Sequence, residues 1–328
     1  MQAQAQQQTT FGRLLKLWGS LRKYGVYLGL IGLCIILTIA SSNFLTVKNI
    51  LNVVRQSSII AIMGIGMTFV ILTGGIDLSV GSVLAISSVM TCYTMVTLNL
   101  PIAIGIVVGL LVGTFFGVCI GLLITRVGLP PFIATLAAMS IARGLVLVVT
   151  GGRPIFGLPK AYGWFGGGYV AFIPTPVAIM AVLYAIGIII LRKTRLGLYA
   201  YSIGGNEEAS RLSGVNTNKY KVIIYGISGL AAAISGIVLA SRLRSAQPLA
   251  GLTYELDVIA SCVIGGISLS GGEGTLIGTL GGALVIAVLR NGLNLLNVSA
   301  YWQQVTIGVV IAVAVAIDTM RKKRQTKV

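Results

Sequence analysis

The sequence predicts an all-α, polytopic integral membrane protein of about ten transmembrane helices, each spanning helix using ~20 apolar residues. Three observations predict it. Of 328 residues, 56% are apolar and only 9% charged. Mean hydropathy is +0.96. Long runs lack Lys, Arg, Asp and Glu altogether. A soluble domain carries about 25% charged residues, so this chain cannot cover its own surface with charge.

The spans follow in order. The first is expected over 24–41, after a Gln-rich polar stretch with no convincing signal-peptide cleavage site. An amphipathic piece at 42–56 sets Phe44, Leu45, Val47, Ile50, Leu51 and Val54 against Lys48 and Arg55. The second span is 57–73. The motif GGIDLSVG (Gly74 to Gly81) leads into the third, 78–98. The fourth, 101–125, runs from Pro101 to just before Arg126, and the fifth, 131–150, follows Pro130 and Pro131. A Gly, Pro and aromatic loop fills 151–173, the sixth span is 174–191, and a charged loop occupies 192–221. The last four are 222–241, 256–268, 274–289 and 301–318, of which 256–268 is short for a full crossing. The chain then divides into an N-terminal tail (1–23), one transmembrane domain (24–318) and a basic C-terminal tail (319–328).

Charge sets the orientation. The balance is 24 Lys+Arg against 7 Asp+Glu, a formal +17. In a soluble protein such an excess points to nucleic acid. Here it is a topology signal, because cytosolic loops of membrane proteins are enriched in Lys and Arg. With ten spans and a cytosolic N-terminus, 16 basic residues fall inside and 7 outside, with Arg143 within the fifth span. Both termini and the 192–221 loop are therefore expected in the cytosol.

Two patterns bear on packing. Gly105, Gly109, Gly113, Gly117 and Gly121 recur every fourth residue, and Gly274, Gly278 and Gly282 repeat the device. Such stripes let helix backbones approach closely, either within one chain or at a seam between two. Gly74-Gly75-Ile76-Asp77-Leu78-Ser79 is echoed by Gly265-Gly266-Ile267-Ser268-Leu269-Ser270. Transporters built from repeats place interrupted helices around a substrate path.

Chemistry is sparse. There is no histidine, and Cys34, Cys92, Cys119 and Cys262 are far apart in apolar runs, with no metal-ligand spacing. Seven acids, mostly in loops, assemble no catalytic pair, so no catalytic or metal residue is assigned and the chain is not read as an enzyme. Leu269-Ser270-Gly271-Gly272-Glu273 resembles the signature of ATP-binding-cassette ATPases. That signature works with a phosphate loop GxxxxGK[ST], and the chain has none, so no nucleotide site is assigned either.

The cytosolic loop is the most polar internal segment. Asn206 is placed to cap a short helix beginning at Glu207, with Glu207 and Glu208 at the favourable N-terminal end, Arg211 at i+4 from Glu207, and Gly214 ending it. It reads as a docking element for a cytosolic partner or as an ordinary solvated loop. At this point a resemblance enters. Glu208-Ala209-Ser210-x-x-x-Gly214 resembles the EAA…G coupling loop of bacterial ABC importer permeases. More broadly, the stretches Gly66 to Ser82, Pro131 to Leu145, Thr194 to Asn216, Ser245 to Ala260 and Asn291 to Ser299 resemble the ribose/xylose/arabinose branch of sugar permeases, nearest the ribose type. The resemblance covers nearly the whole chain from about residue 40.

It implies the transmembrane subunit of an ATP-driven monosaccharide importer in the bacterial inner membrane. An ABC ATPase subunit, which carries the ATP and Mg, would dock on the 192–221 loop through Gly205, Asn206, Glu207, Glu208, Ala209, Arg211 and Gly214. A periplasmic sugar-binding protein would deliver the sugar to the outer face, where Arg242, Arg244, Glu255 and Asp257 are the candidate docking charges. Alternatively these four pair among themselves or reach to headgroups. One coupling loop per ATPase site implies a second permease chain, a homodimer. This chain itself holds no cofactor, and its surroundings are lipid rather than nucleic acid.

Charges at membrane depth are costly and usually functional. Asp77 and Arg143 are the two candidates. Asp77 either caps the third helix at the inner surface or, with Ser79, faces the sugar path from a helix broken partway through the membrane. Arg143 either joins that path or snorkels outward. The aromatics Phe156, Tyr162, Trp164, Phe165, Tyr169 and Phe172 fit a belt at the membrane interface. The rival reading is an ATP-independent secondary transporter or facilitator, which would leave the capped loop helix without a partner.

Overall fold

The structure, a computed structural model, describes residues 25–325, and it is helical nearly throughout. In chain order the helices are α1 (Gly25–Ala40), α2 (Val47–Leu72), α3 (Val80–Val96), α4 (Ile102–Leu122, extended by a wide turn Leu123–Val127) and α5 (Pro131–Thr150). A tight turn Lys160–Gly163, the single-turn α6 (Trp164–Gly167) and a two-stranded hairpin, β1 (Tyr169–Val170) and β2 (Ile173–Pro174), fill the next connection. There follow α7 (Thr175–Lys193), α8 (Arg195–Gly205), α9 (Glu207–Leu212), α10 (Thr217–Leu243), α11 (Tyr254–Ile264), α12 (Leu276–Leu295) and α13 (Ala300–Gln325). The expected tail at 1–23 lies outside the described residues. The expected C-terminal tail is helical as far as Gln325.

Among the described residues, α2, α4 with its wide turn, α5, α7, α10 and α12 are long and apolar enough to cross a membrane. The apolar parts of α1, α3 and α13 are shorter, and α11 has only 11 residues. The expected spans 24–41, 131–150 and 174–191 coincide with α1, α5 and α7 to within two residues. The amphipathic piece at 42–56 is not separate. No Gly or Pro interrupts Val47 to Met63, so the helix starts at Val47, where the Thr46 side chain accepts the Asn49 amide, and continues for 26 residues. The charged loop 192–221 is likewise mostly helical, as α8, α9 and the first turn of α10.

Helices α2, α3 and α10 form the centre. Every residue of α2 from Ser57 to Leu72 is buried. The glycine stripe explains how α4 joins them. Gly105 and Gly109 lie on Thr91 of α3, Gly113 on Gly229 and Ala233 of α10, Gly117 on the Tyr225 backbone, and Gly121 on Val222. A methyl group on Gly113 would stand 2.6 Å from the Gly229 carbonyl oxygen. The stripe is therefore spent within one chain, the first of the two readings that its spacing allowed. Gly278 and Gly282 do the same for α12, against Gly265 and the Ser261 carbonyl.

With little hydrophobic drive between helices in lipid, packing and buried polar pairs hold them, each pair contributing about 0.6–2 kcal/mol. Thr68 of α2 and Thr279 of α12 share a hydrogen bond of 2.8 Å. At the other end of the same pair, Asn49 and Asn291 exchange two amide bonds, of 2.9 and 2.7 Å. The outward faces carry exposed Ile39, Phe115, Val148, Ile189 and Val309. So broad an apolar surface suits contact with lipid.

Candidate transport site

Two interruptions of the helical bundle face each other. The first is GGIDLSVG. Helix α2 ends in a Schellman cap: the Gly75 N–H donates to the Val70 carbonyl, the Gly74 N–H to Ile71, and Gly74 takes φ +78°. The chain then turns through Asp77 into α3. Asp77 Oδ1 accepts the Ser79 amide at 2.9 Å and the Ser79 hydroxyl at 2.6 Å, and Oδ2 accepts the Ser228 hydroxyl of α10 at 2.7 Å. Ser228 is eleven residues into the 27-residue α10, about 16 Å along its axis at 1.5 Å per residue. The helix break thus lies inside the bundle, and the Asp77 carboxylate, 1% exposed, is closed in by hydroxyls.

The second interruption is the segment 244–253 that joins α10 to α11. It is bracketed by Arg244 at φ +55° and Thr253 at φ +67°. A β-branched residue there is an outlier, and such strain costs about 1–3 kcal/mol. The segment turns back into the bundle. Gly251 lies backbone to backbone against Gly81, one turn deeper than Leu84, whose carbonyl lies against Gly236. Two contacts hold the segment in place, and a third anchors the end of α10 that leads into it. Arg143 Nη1 donates to the Pro248 and Ala250 carbonyls at 2.7 and 3.0 Å. Ile155 and Ala246 exchange two backbone bonds of 3.0 Å. Tyr162, fully buried, donates to the Ile237 carbonyl at 2.8 Å while its own carbonyl accepts the Ser241 hydroxyl. Tyr162 is therefore an internal anchor and not part of an aromatic belt. Phe156, Trp164, Tyr169 and Phe172 are exposed, and the Arg55 guanidinium sits 4.8 Å above the Tyr169 ring.

On the opposite side of the bundle is the short charged helix α9. Asn206 Oδ1 accepts the Ala209 amide at 2.9 Å, so the capping residue is the one the spacing predicts. Arg211 pairs with Glu208 at 2.8 Å, i to i+3, not with Glu207. Glu207 instead pairs with Lys221 of α10 at 2.6 Å. Gly214, at φ +85°, closes the helix with a second Schellman cap, the Val215 N–H donating to Ser210. Ser210 is buried and shares a 2.7 Å bond with Ser202 of α8, while Leu212 is 80% exposed. The helix is pinned at its back and presents carboxylates, a guanidinium and one bare leucine.

The family described as branched-chain amino acid transport system / permease component matches residues 49–315. The chain belongs to this permease family. It is 51% identical to the ribose import permease protein RbsC of Bacillus subtilis (strain 168), over 93% of this chain and 94% of that one. It is 47% identical to the Haemophilus influenzae RbsC over 89% and 91%, and 43% identical to the Escherichia coli (strain K12) RbsC over 96% and 99%. No solved structure matches it.

The permease places its four expected outer docking residues unequally. Arg244 is exposed and lies across Gly163, and Arg242, half-buried, donates to Asn52 Oδ1 at 3.3 Å. Glu255 is half-buried and directed at Gly81. Asp257 is corrected: it is 1% exposed and its two oxygens take Arg290 Nη2 at 2.8 and 2.7 Å, so it is held inside the bundle. The partners Ser228, Arg290 and Tyr162 were invisible to local reading, since each acts across more than 30 residues of sequence.

Proposed function

We propose that this permease is the membrane subunit of an ATP-driven importer that takes up D-ribose or a related pentose across the bacterial inner membrane. Near full-length identity of 43–51% to ribose import permeases carries the reading. A periplasmic binding protein supplies the sugar at the outer end of α10, with Arg242 and Arg244 available to its carboxylates. A separate ATPase subunit, holding ATP and Mg, docks on α9 through Glu207, Glu208, Arg211 and the exposed Leu212. Two permease chains meet two ATPase subunits, with ten crossings each and both termini in the cytosol, in line with the 16 to 7 charge bias. Broken helices inside a bundle are where transporters bind substrate. The sugar path is therefore assigned to the region between Asp77 and Ser79 on one side and the Arg143-held segment on the other. As the helices rock, these groups exchange their present partners for sugar hydroxyls.

The test is uptake by the reconstituted complex in vesicles, with labelled ribose, xylose, arabinose, galactose and leucine. Ribose uptake that needs both internal ATP and added binding protein is the expected result. Uptake without ATP would establish the rival, a secondary transporter or facilitator. Leucine uptake alone would favour the amino-acid substrate in the family's description.

A further inference from the structure

The stretch Leu269 to Gly274, which resembles an ATPase signature without its phosphate loop, has a different use. Helices α8 and α9 are separated by Asn206 alone, and the Ser202–Ser210 bond clasps them. Whatever moves α9 moves the end of α8. That end is seated on backbone. Gly204 lies directly against the Leu72 carbonyl and the Gly272 N–H, and these two are hydrogen-bonded to each other at 3.0 Å. Positions on Gly271 that a methyl would occupy fall 2.9 Å from both the Gly204 Cα and the Gly74 nitrogen. One turn back, the Tyr201 hydroxyl donates to the Gly274 carbonyl at 2.7 Å. Burial raises the Tyr201 phenol above its ordinary value, which keeps that proton in place. Gly271, Gly272 and Gly274 all take positive φ, so the backbone itself is shaped to this junction.

We infer that Gly204, Tyr201 and the Leu269–Gly274 stretch form a backbone relay that carries displacement of α9 to the GGIDLSVG interruption and to the start of α12 at once. One branch reaches the cap of α2 at Leu72 and Gly74, three residues before Asp77. The other reaches Gly274, next to Thr275, whose side chain caps α12. Contacts between main chains leave no rotamer to absorb the motion, and interiors packed this closely transmit strain. These are positioning residues and touch no substrate. The inference rests on the reading of α9 as the ATPase contact.

The experiment compares Gly204→Ala, Gly308→Ala and Tyr201→Phe in the complete complex. It measures sugar-stimulated ATP hydrolysis, uptake, and retention of the ATPase subunit on purification. A methyl on Gly308 of α13 meets nothing within 4 Å, so that variant controls for the substitution itself. Gly204→Ala is expected to lower sugar-stimulated hydrolysis about tenfold or more, the scale of an overpacked contact. Tyr201→Phe is expected to lower it about fivefold, the effect of one hydrogen bond. Gly308→Ala stays within about twofold, as a surface change does, and all three retain the ATPase. If Gly204→Ala does not fold, Tyr201→Phe decides. Wild-type stimulation in Tyr201→Phe, equal losses at 204 and 308, or loss of the ATPase subunit would each overturn the relay. Glu207→Lys with Glu208→Lys, run alongside, tests the α9 reading separately: normal coupling there overturns that reading, whatever the glycine variants do.

Discussion

Arg290 of α12 reaches Asp257 of α11 with a single nitrogen, Nη2, lying 2.8 and 2.7 Å from the two carboxylate oxygens. Among the described residues its Nε, also buried, has no partner. This pair fixes the short α11 to its neighbour. Removing one member of a buried pair costs about 3–5 kcal/mol, whereas replacing both with apolar residues is often neutral. Asp257→Ala and Arg290→Ala should each lower the melting temperature of the detergent-solubilised permease sharply. Asp257→Leu with Arg290→Met should recover most of the loss. Equal stability in all three variants would mean that the pair holds nothing.

Asp77 should matter differently. Asp77→Ala strands the Ser79 and Ser228 hydroxyls, at about 1–3 kcal/mol for each buried group left unsatisfied. Asp77→Asn keeps an acceptor for one of them. Uptake is expected to fall in the order wild type, Asn, Ala, with the complex still assembled. Unchanged uptake and assembly in Asp77→Ala would remove this residue from the sugar path.

Tyr225 offers a prediction of opposite sign. Its hydroxyl is buried beside Gly75 and has no hydrogen-bond partner among the described residues. Deleting a hydroxyl that makes no bond releases its desolvation cost. Tyr225→Phe should leave the melting temperature unchanged or raise it. A drop would reveal a partner that the present conformation does not show.

At the end of α10 proposed to face outward, reversing Arg242 and Arg244 to Glu should weaken docking of the proposed binding protein, chiefly by slowing association. The effect should shrink as salt rises, because exposed charges are screened over about 8–10 Å. Affinity measured at two ionic strengths reads this directly, and an unchanged affinity would point to another surface.

Much of the fold was legible because composition and charge-free runs mark helices in any membrane chain. Asn206 and Gly214 were legible because capping is local: the groups that meet are three or four residues apart. Arg211 shows the limit of spacing. Both i+3 and i+4 partners were available, and Lys221, fourteen residues from Glu207, took that carboxylate. Asp257 was misplaced because alternation of loops and spans puts it at the surface, whereas the chain turns back after Arg244. The echo of GGIDLS in GGISLS also misleads by one residue. Gly74 takes the left-handed turn in the first copy, but the second glycine, Gly266, takes it in the other. Asp77 and Ser268 are therefore not equivalent, which no comparison of letters reveals.

The five-glycine stripe of α4 has a mechanical consequence. A helix whose every fourth residue is wedged against a neighbour's main chain can neither roll about its axis nor slide by a turn without collision. Helices α3, α4 and α10 must therefore travel together. The freedom that transport demands has to come from the other contacts, such as those that α11 and α12 make with the rest of the bundle. A saturation-mutagenesis map of α4 should show it as a comb: alanine is refused at 105, 109, 113, 117 and 121, while the lipid-facing positions between accept almost any apolar side chain.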